Sequence, residues 1–102
     1  MGSPLEVKNM LEKEIESLLY RKAKQMGGMA LKFVSPGMSG VPDRIVLLPG
    51  GYIAFVELKA PGKHMRLLQL RRKRQLEALG FSVYCIDRPE QIGGVLDEIR
   101  GA

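Results

Sequence analysis

Gly40-Val41-Pro42-Asp43-Arg44 runs through Ile45-Val46-Leu47-Leu48 and Pro49-Gly50-Gly51 to Tyr52-Ile53-Ala54-Phe55-Val56-Glu57-Leu58-Lys59. This stretch decides the fold. Two apolar runs flank a Pro-Gly-Gly turn signal, which predicts a β-hairpin. With a three-residue loop, Leu48 faces Tyr52, and paired position numbers sum to 100 along both strands. Asp43 then falls opposite Glu57. Directly opposed residues have Cβ atoms about 4.5–5.5 Å apart, and like charges there repel. A divalent cation held by both carboxylates would offset that repulsion. Lys59 follows Glu57 by two residues, so strand alternation turns it to the same face. Two acids and one amine are expected to converge at the end of the hairpin.

The surrounding chain predicts the element order α-β-β-β-α-β-α and an α/β fold. Residues 5–26 read as a helix, with Leu11, Ile15, Leu18, Leu19, Lys22 and Met26 on one stripe. Ser3, Pro4 and Glu6 suit its start and Gly27-Gly28 its end. Residues 29–34 read as a strand and 35–42 as a loop. The hairpin strands take roughly 43–48 and 52–59. Both hairpin faces are largely apolar, so helices are expected above and below the sheet. Residues 64–79 read as a second helix with Met65, Leu68, Leu76 and Leu79 on its buried face. Residues 81–87 read as a fourth strand and 89–100 as a closing helix.

Composition narrows the function classes. The 102 residues are expected to form a single domain, and they contain no repeat and no linker. Sixteen Lys and Arg against eleven Asp and Glu give a net charge of +5, which permits a nucleic-acid partner. One cysteine, Cys85, excludes an internal disulfide framework. No apolar run reaches the ~20 residues of a membrane span. No signal peptide is visible, so a cytoplasmic setting is expected, in the host cell if the source is viral. Arg66, Arg71, Arg72, Lys73 and Arg74 place five cations within nine residues, on the expected second helix. Coming directly after the acidic site, they are expected to contact phosphates, with Arg44 beside them. No aromatic residues interleave with them, which argues against a base-stacking platform.

Pro42-Asp43, a gap of thirteen residues and then Glu57-Leu58-Lys59 resemble the PD-(D/E)XK nuclease signature. Lys32-Phe33-Val34-Ser35-Pro36-Gly37, Gly40-Val41-Pro42-Asp43-Arg44, Val56-Glu57-Leu58-Lys59-Ala60-Pro61-Gly62 and Gln69 resemble the VRR-NUC family in its small, single-domain viral form. The resemblance runs from about Glu12 to about Asp87. It implies a restriction-endonuclease-like core, a mixed sheet of about four strands flanked by helices. It also implies a DNA endonuclease that uses Mg²⁺ or Mn²⁺. Asp43, Glu57 and the Leu58 carbonyl would hold the metal, and Lys59 would serve the attacking water or the transition state. Gln69 matches the family's glutamine, although Leu67-Leu68 stand where a proline often precedes it. The family also carries an acid in the first helix. Counting back eleven residues from Gly27 gives Glu16, with Glu12 as the fallback. His64, the lone histidine, follows the strand-breaking Ala60-Pro61-Gly62 and is expected at the surface. Small free-standing members are similar to Holliday-junction resolvases, so a homodimer acting on branched DNA is implied. The alternatives are a flap- or nick-directed nuclease and a nucleic-acid-binding module without chemistry.

Overall fold

The computed structural model describes the backbone of residues 4–101 and the side chains of residues 11–101. The order is α1 (Pro4–Gln25), β1 (Met29–Lys32), β2 (Arg44–Leu48), β3 (Tyr52–Leu58), α2 (Leu67–Ala78), β4 (Ser82–Ile86) and α3 (Gln91–Ile99). This is the expected α-β-β-β-α-β-α order. The cap expected from Ser3, Pro4 and Glu6 lies outside the described residues and side chains. The strands form a four-stranded sheet in the order β1-β2-β3-β4. β1 and β3 run antiparallel to β2, and β4 runs parallel to β3, so the sheet is mixed.

The hairpin has the expected register. Leu48 pairs with Tyr52, Val46 with Ala54 and Arg44 with Val56. Gly50 and Gly51 turn the chain with φ of +96° and +84°. Side chains at these angles are strained, so the turn calls for glycine there. Alternation then divides the sheet. Val46, Leu48, Ala54, Val56 and Leu58 face one way and are buried with Ile15, Leu19 and Ala23 of α1 and Ile92, Leu96 and Ile99 of α3. Burial at 15, 19 and 23 is the one-face spacing of a helix.

The opposite face corrects one expectation. It is not fully covered. Phe55 is buried there between Phe33 and Phe81, with ring centroids 5.7 Å apart in both pairs. Met29, Leu31 and Ile53 on the same face stay exposed. Helix α2 does not cover them. Its expected buried face is also corrected: Leu68 is 40% exposed and Leu79 is 73% exposed. The leucine periodicity misleads because α2 packs on the loop between β1 and β2. The Arg72 Nε–H donates to the Ser39 carbonyl at 2.8 Å. Gly40, at φ +84°, approaches so closely that a Cβ there would lie 2.6 Å from Leu68 Cγ. The one buried residue of α2 is polar, Gln69.

Candidate active site

The end of the hairpin carries the acids. Extending the β2–β3 register one step past Arg44–Val56 sets Asp43 against Glu57. The Asp43 carbonyl accepts from the Phe33 N–H at 2.8 Å, which ties it to the end of β1. Its Oδ1 accepts from the Leu58 N–H at 3.1 Å. Glu57 lies inside the sheet, 5% exposed. Its Oε2 accepts from the Gln69 Nε2–H at 3.0 Å and lies 3.2 Å from the Lys59 ammonium. Glu57 Oε1 is buried and has no hydrogen-bond partner among the described residues. An unpartnered buried carboxylate oxygen is costly, so this atom is the position that calls for a ligand.

Burial pushes the Asp43 carboxyl above the usual carboxylate range, and the Leu58 N–H and Arg44 only partly oppose it. Burial also raises Glu57, and the charge of Asp43 raises it further, while Lys59 pulls it down. Burial raises the thiol of Cys85, which pairs with Glu57 across the parallel ladder.

Gln69 is oriented by its own helix. Its Oε1 accepts from the Arg66 N–H at 2.8 Å, at the first turn of α2. That is half of a capping box, because a guanidinium has no acceptor with which to complete it. With Oε1 engaged, the amide N–H₂ is turned to Glu57.

A cleft of about 620 Å³ opens on this cluster. Asp43, Glu57, Leu58, Lys59 and Gln69 line it, together with Glu12, Lys63, His64 and Arg66. A second cleft, of about 350 Å³, reaches Asp43, Glu57, Arg66 and Gln69 from the side of Ser39 and Gly40. The structure thus brings together Asp43, Glu57, Lys59, Gln69 and Arg66 of the residues singled out above. Glu16 is not among them. Its carboxylate receives the Arg44 Nη2–H, and it lines a different cleft beside β1. The fallback residue Glu12 instead lines the cleft that holds the acids.

Arg44 is not a surface cation. It is 8% exposed and turned toward α1. It shares the parity of Val46 and Leu48, so strand alternation alone places it on the helix side. Arg71 and Arg74 are exposed on α2, whereas Arg72 is spent on Ser39 and Gln75. Lys63 and His64 were not foreseen as cleft residues. The available signal was their position in the break that directly follows β3, since a chain leaving a strand stays near that strand's end.

The donor set suits a hard divalent cation: two carboxylates, one of them with a free buried oxygen. Among the described residues no three His, Cys, Asp or Glu side chains cluster as a metal-binding group. The side-chain donors at the hairpin end are therefore Asp43 and Glu57.

Comparison with known proteins agrees with this geometry. No family model matches the chain. A relative from Acyrthosiphon pisum secondary endosymbiont phage 1, named "Putative nuclease p44", is 51% identical over 76 residues. The match covers 74% of this chain and 82% of that protein. A solved structure described as a VRR_NUC domain superimposes with a TM-score of 0.78 at 28% identity, covering 84% of this chain and 94% of the other. A second, described as a VRR_NUC domain protein, shares the fold at a TM-score of 0.68 and 16% identity, with 88% of each chain covered. The relative is far too similar for coincidence, and the first solved structure shares the fold over most of both chains; the chain belongs to the VRR-NUC family of nucleases.

Proposed function

We propose that the cleft is the active site of a Mg²⁺- or Mn²⁺-dependent DNA endonuclease acting on four-way junctions. The observation that carries this reading is the unpartnered, buried Glu57 Oε1 beside a second acid. A structural Glu57–Lys59 ion pair would account for the 3.2 Å contact. It leaves the free oxygen unexplained, and also the placement of Asp43 next to it.

Asp43 and Glu57 hold the cation. The Leu58 carbonyl is the third protein donor: the N–H and C=O of one extended residue point to the same side, and the Leu58 N–H already points at Asp43. A bound divalent cation acidifies a water and stabilises charge on the phosphate. Lys59 places a positive charge where the transition state builds negative charge. Gln69 holds the Glu57 carboxylate in place. Glu12, rather than Glu16, supplies the acid from the first helix. Arg66 meets the DNA backbone at the cleft, and Arg71, Lys73 and Arg74 extend the basic surface along α2.

The junction substrate and the homodimer rest on symmetry. Two identical sites across a two-fold axis match two strands cut in concert. Exposed Leu67, Leu68 and Leu79 leave apolar surface on α2 for such an interface, and Met38 adds to it. The closing helix does not contribute, because Ile92, Leu96 and Ile99 are spent in the core. Cleavage mapping on four-way junction, flap and duplex DNA with Mg²⁺ or Mn²⁺ tests this reading. Symmetric paired cuts in the junction are expected. Preferential cutting of flaps or nicks would replace the junction by the alternative substrate. DNA binding without cleavage of any substrate would leave a binding module.

The raised acids predict a pH signature. A carboxyl whose pKa is higher folded than unfolded stabilises the protein below the ordinary range, near pH 4. That contribution is lost as pH rises through the folded values. At neutral pH the two ionised acids therefore weigh against the metal-free fold, and a cation relieves them. Mn²⁺ at ten times its pH 8 Kd should raise the Tm by about 6–11 °C at pH 8, and the same concentration should raise it by much less at pH 5. Glu57→Gln should raise the metal-free Tm at pH 8 and remove the response to Mn²⁺. Thermal melts that show the same Mn²⁺ response at both pH values would contradict the assignment of the acids.

A further inference from the structure

Arg44 divides its guanidinium between two elements. Nη2 donates to Glu16 Oε2 on α1. Nη1 donates to the Asp43 carbonyl at 2.8 Å and stands 3.5 Å from Asp43 Oδ2. The guanidinium thus hydrogen-bonds Glu16 and the Asp43 carbonyl but only approaches the Asp43 carboxylate. An arginine fork pairs best with a carboxylate through two parallel hydrogen bonds, and Nη1 already stands 3.5 Å from Asp43 Oδ2. Glu16 prevents it by holding the other end of the fork. Arg44 is 8% exposed, and it lines with Glu16 a different cleft from the one that holds Asp43 and Glu57.

We propose that Glu16 is a positioning residue that acts through Arg44: it restrains the guanidinium so that the Asp43 carboxylate stays open to a divalent cation. The proposal rests on the metal-site reading above and deepens it. Without Glu16, Arg44 closes on Asp43 as a bidentate partner and takes the place of the cation. Asp43 itself is otherwise well fixed. Its carbonyl accepts from Phe33 and Arg44, and its Oδ1 accepts from Leu58. Among the described residues, the orientation of the Arg44 fork is what the distant helix sets in this arrangement, across a sequence separation of 28 residues.

A double-mutant cycle tests the proposal, because residues acting through a shared partner are not additive. Mn²⁺ binding to the DNA-free protein is measured by titration calorimetry for wild type, E16A, R44M and E16A/R44M. Partners that hydrogen-bond and orient metal ligands typically cost 10–100-fold in metal affinity when they are removed. E16A is therefore expected to weaken Mn²⁺ binding about tenfold in the wild-type background, at the low end of that range. In the R44M background it should change binding by less than about twofold, within the additivity error for independent sites. Equal weakening in both backgrounds would mean that Glu16 serves the cation directly, and the proposal falls. No weakening in the wild-type background overturns it as well. Should R44M fail to fold by circular dichroism, R44Q serves in the same cycle: it is neutral and keeps a donor for the Asp43 carbonyl. A purely structural role would lower the Tm of E16A and leave the Mn²⁺ affinity of the folded protein unchanged. A wild-type protein that binds no Mn²⁺ would instead remove the metal-site reading itself, a distinct result.

Discussion

Asp43→Asn and Glu57→Gln are each expected to lower DNA cleavage by about 10³-fold or more while leaving DNA binding equal to or tighter than wild type. The magnitude follows from the role. Loss of a single neutral donor to a developing oxyanion already costs about 10²–10³-fold. Removing half of the carboxylate set proposed to hold the cation should cost at least as much. The direction of the binding effect follows from charge, since each substitution removes a negative group from a cleft that must accept phosphate. Folding should survive, because both acids have carboxyls pushed up by burial and the neutral amides relieve that cost. Glu57→Gln has one further feature. Gln69 donates to Glu57 Oε2, and the new amide must turn its oxygen to that donor. Cleavage assays and equilibrium binding in Ca²⁺ measure the two quantities separately. Cleavage at the wild-type rate in either variant would remove the assignment, and unfolding of both would make the acids structural.

Lys59→Met gives the second large effect. Methionine keeps the apolar stem and removes the charge. Cleavage should fall about 10²–10³-fold, the range for a group that stabilises transition-state charge. A second consequence separates this role from simple packing. The Lys59 ammonium stands 3.2 Å from Glu57 Oε2 and favours its ionised form. Without it the Glu57 carboxyl rises further, and protons compete better with metal. The acidic limb of the pH–rate profile should therefore move to higher pH. Mn²⁺ affinity should be reduced more at pH 6 than at pH 8. Lys59→Arg should not restore full activity, because a planar fork does not reproduce a compact ammonium. A pH–rate profile that keeps its acidic limb in Lys59→Met would argue that the lysine acts elsewhere than on Glu57.

These substitutions all lie on a hairpin that the chain announces locally. Pro49-Gly50-Gly51 sets the loop, and a fixed loop sets the register. Period-2 alternation then places Asp43, Glu57 and Lys59 on one face whatever the rest of the chain does. The same rule turns Arg44 to the other face with Val46 and Leu48. That signal was legible, but the run of basic residues drew Arg44 toward phosphate. The order of helices and strands followed from equally local features: helical stripes, glycine stops and apolar runs.

Tertiary structure decided what depended on distant partners. Glu12 and Glu16 lie one helical turn apart, and counting along the chain could not say which reached the acids. The docking of α1 on the sheet turned Glu16 to Arg44 and left Glu12 at the cleft. Helix α2 is the clearest case. Its leucines have helical spacing, yet Leu67 is 84% exposed and the buried residue is Gln69. Periodicity reports which residues share a face. It does not report whether the fold offers that face an apolar partner. Here a loop and a carboxylate met α2, and one face of the sheet stayed partly open. By itself the sequence determined the hairpin, its register and the shared face of the two acids and the lysine, because these depend on neighbours a few residues away. Only the tertiary structure decided which helix acid lines their cleft, what Arg44 bonds and which apolar surface is left uncovered, because these depend on how separate elements pack in space.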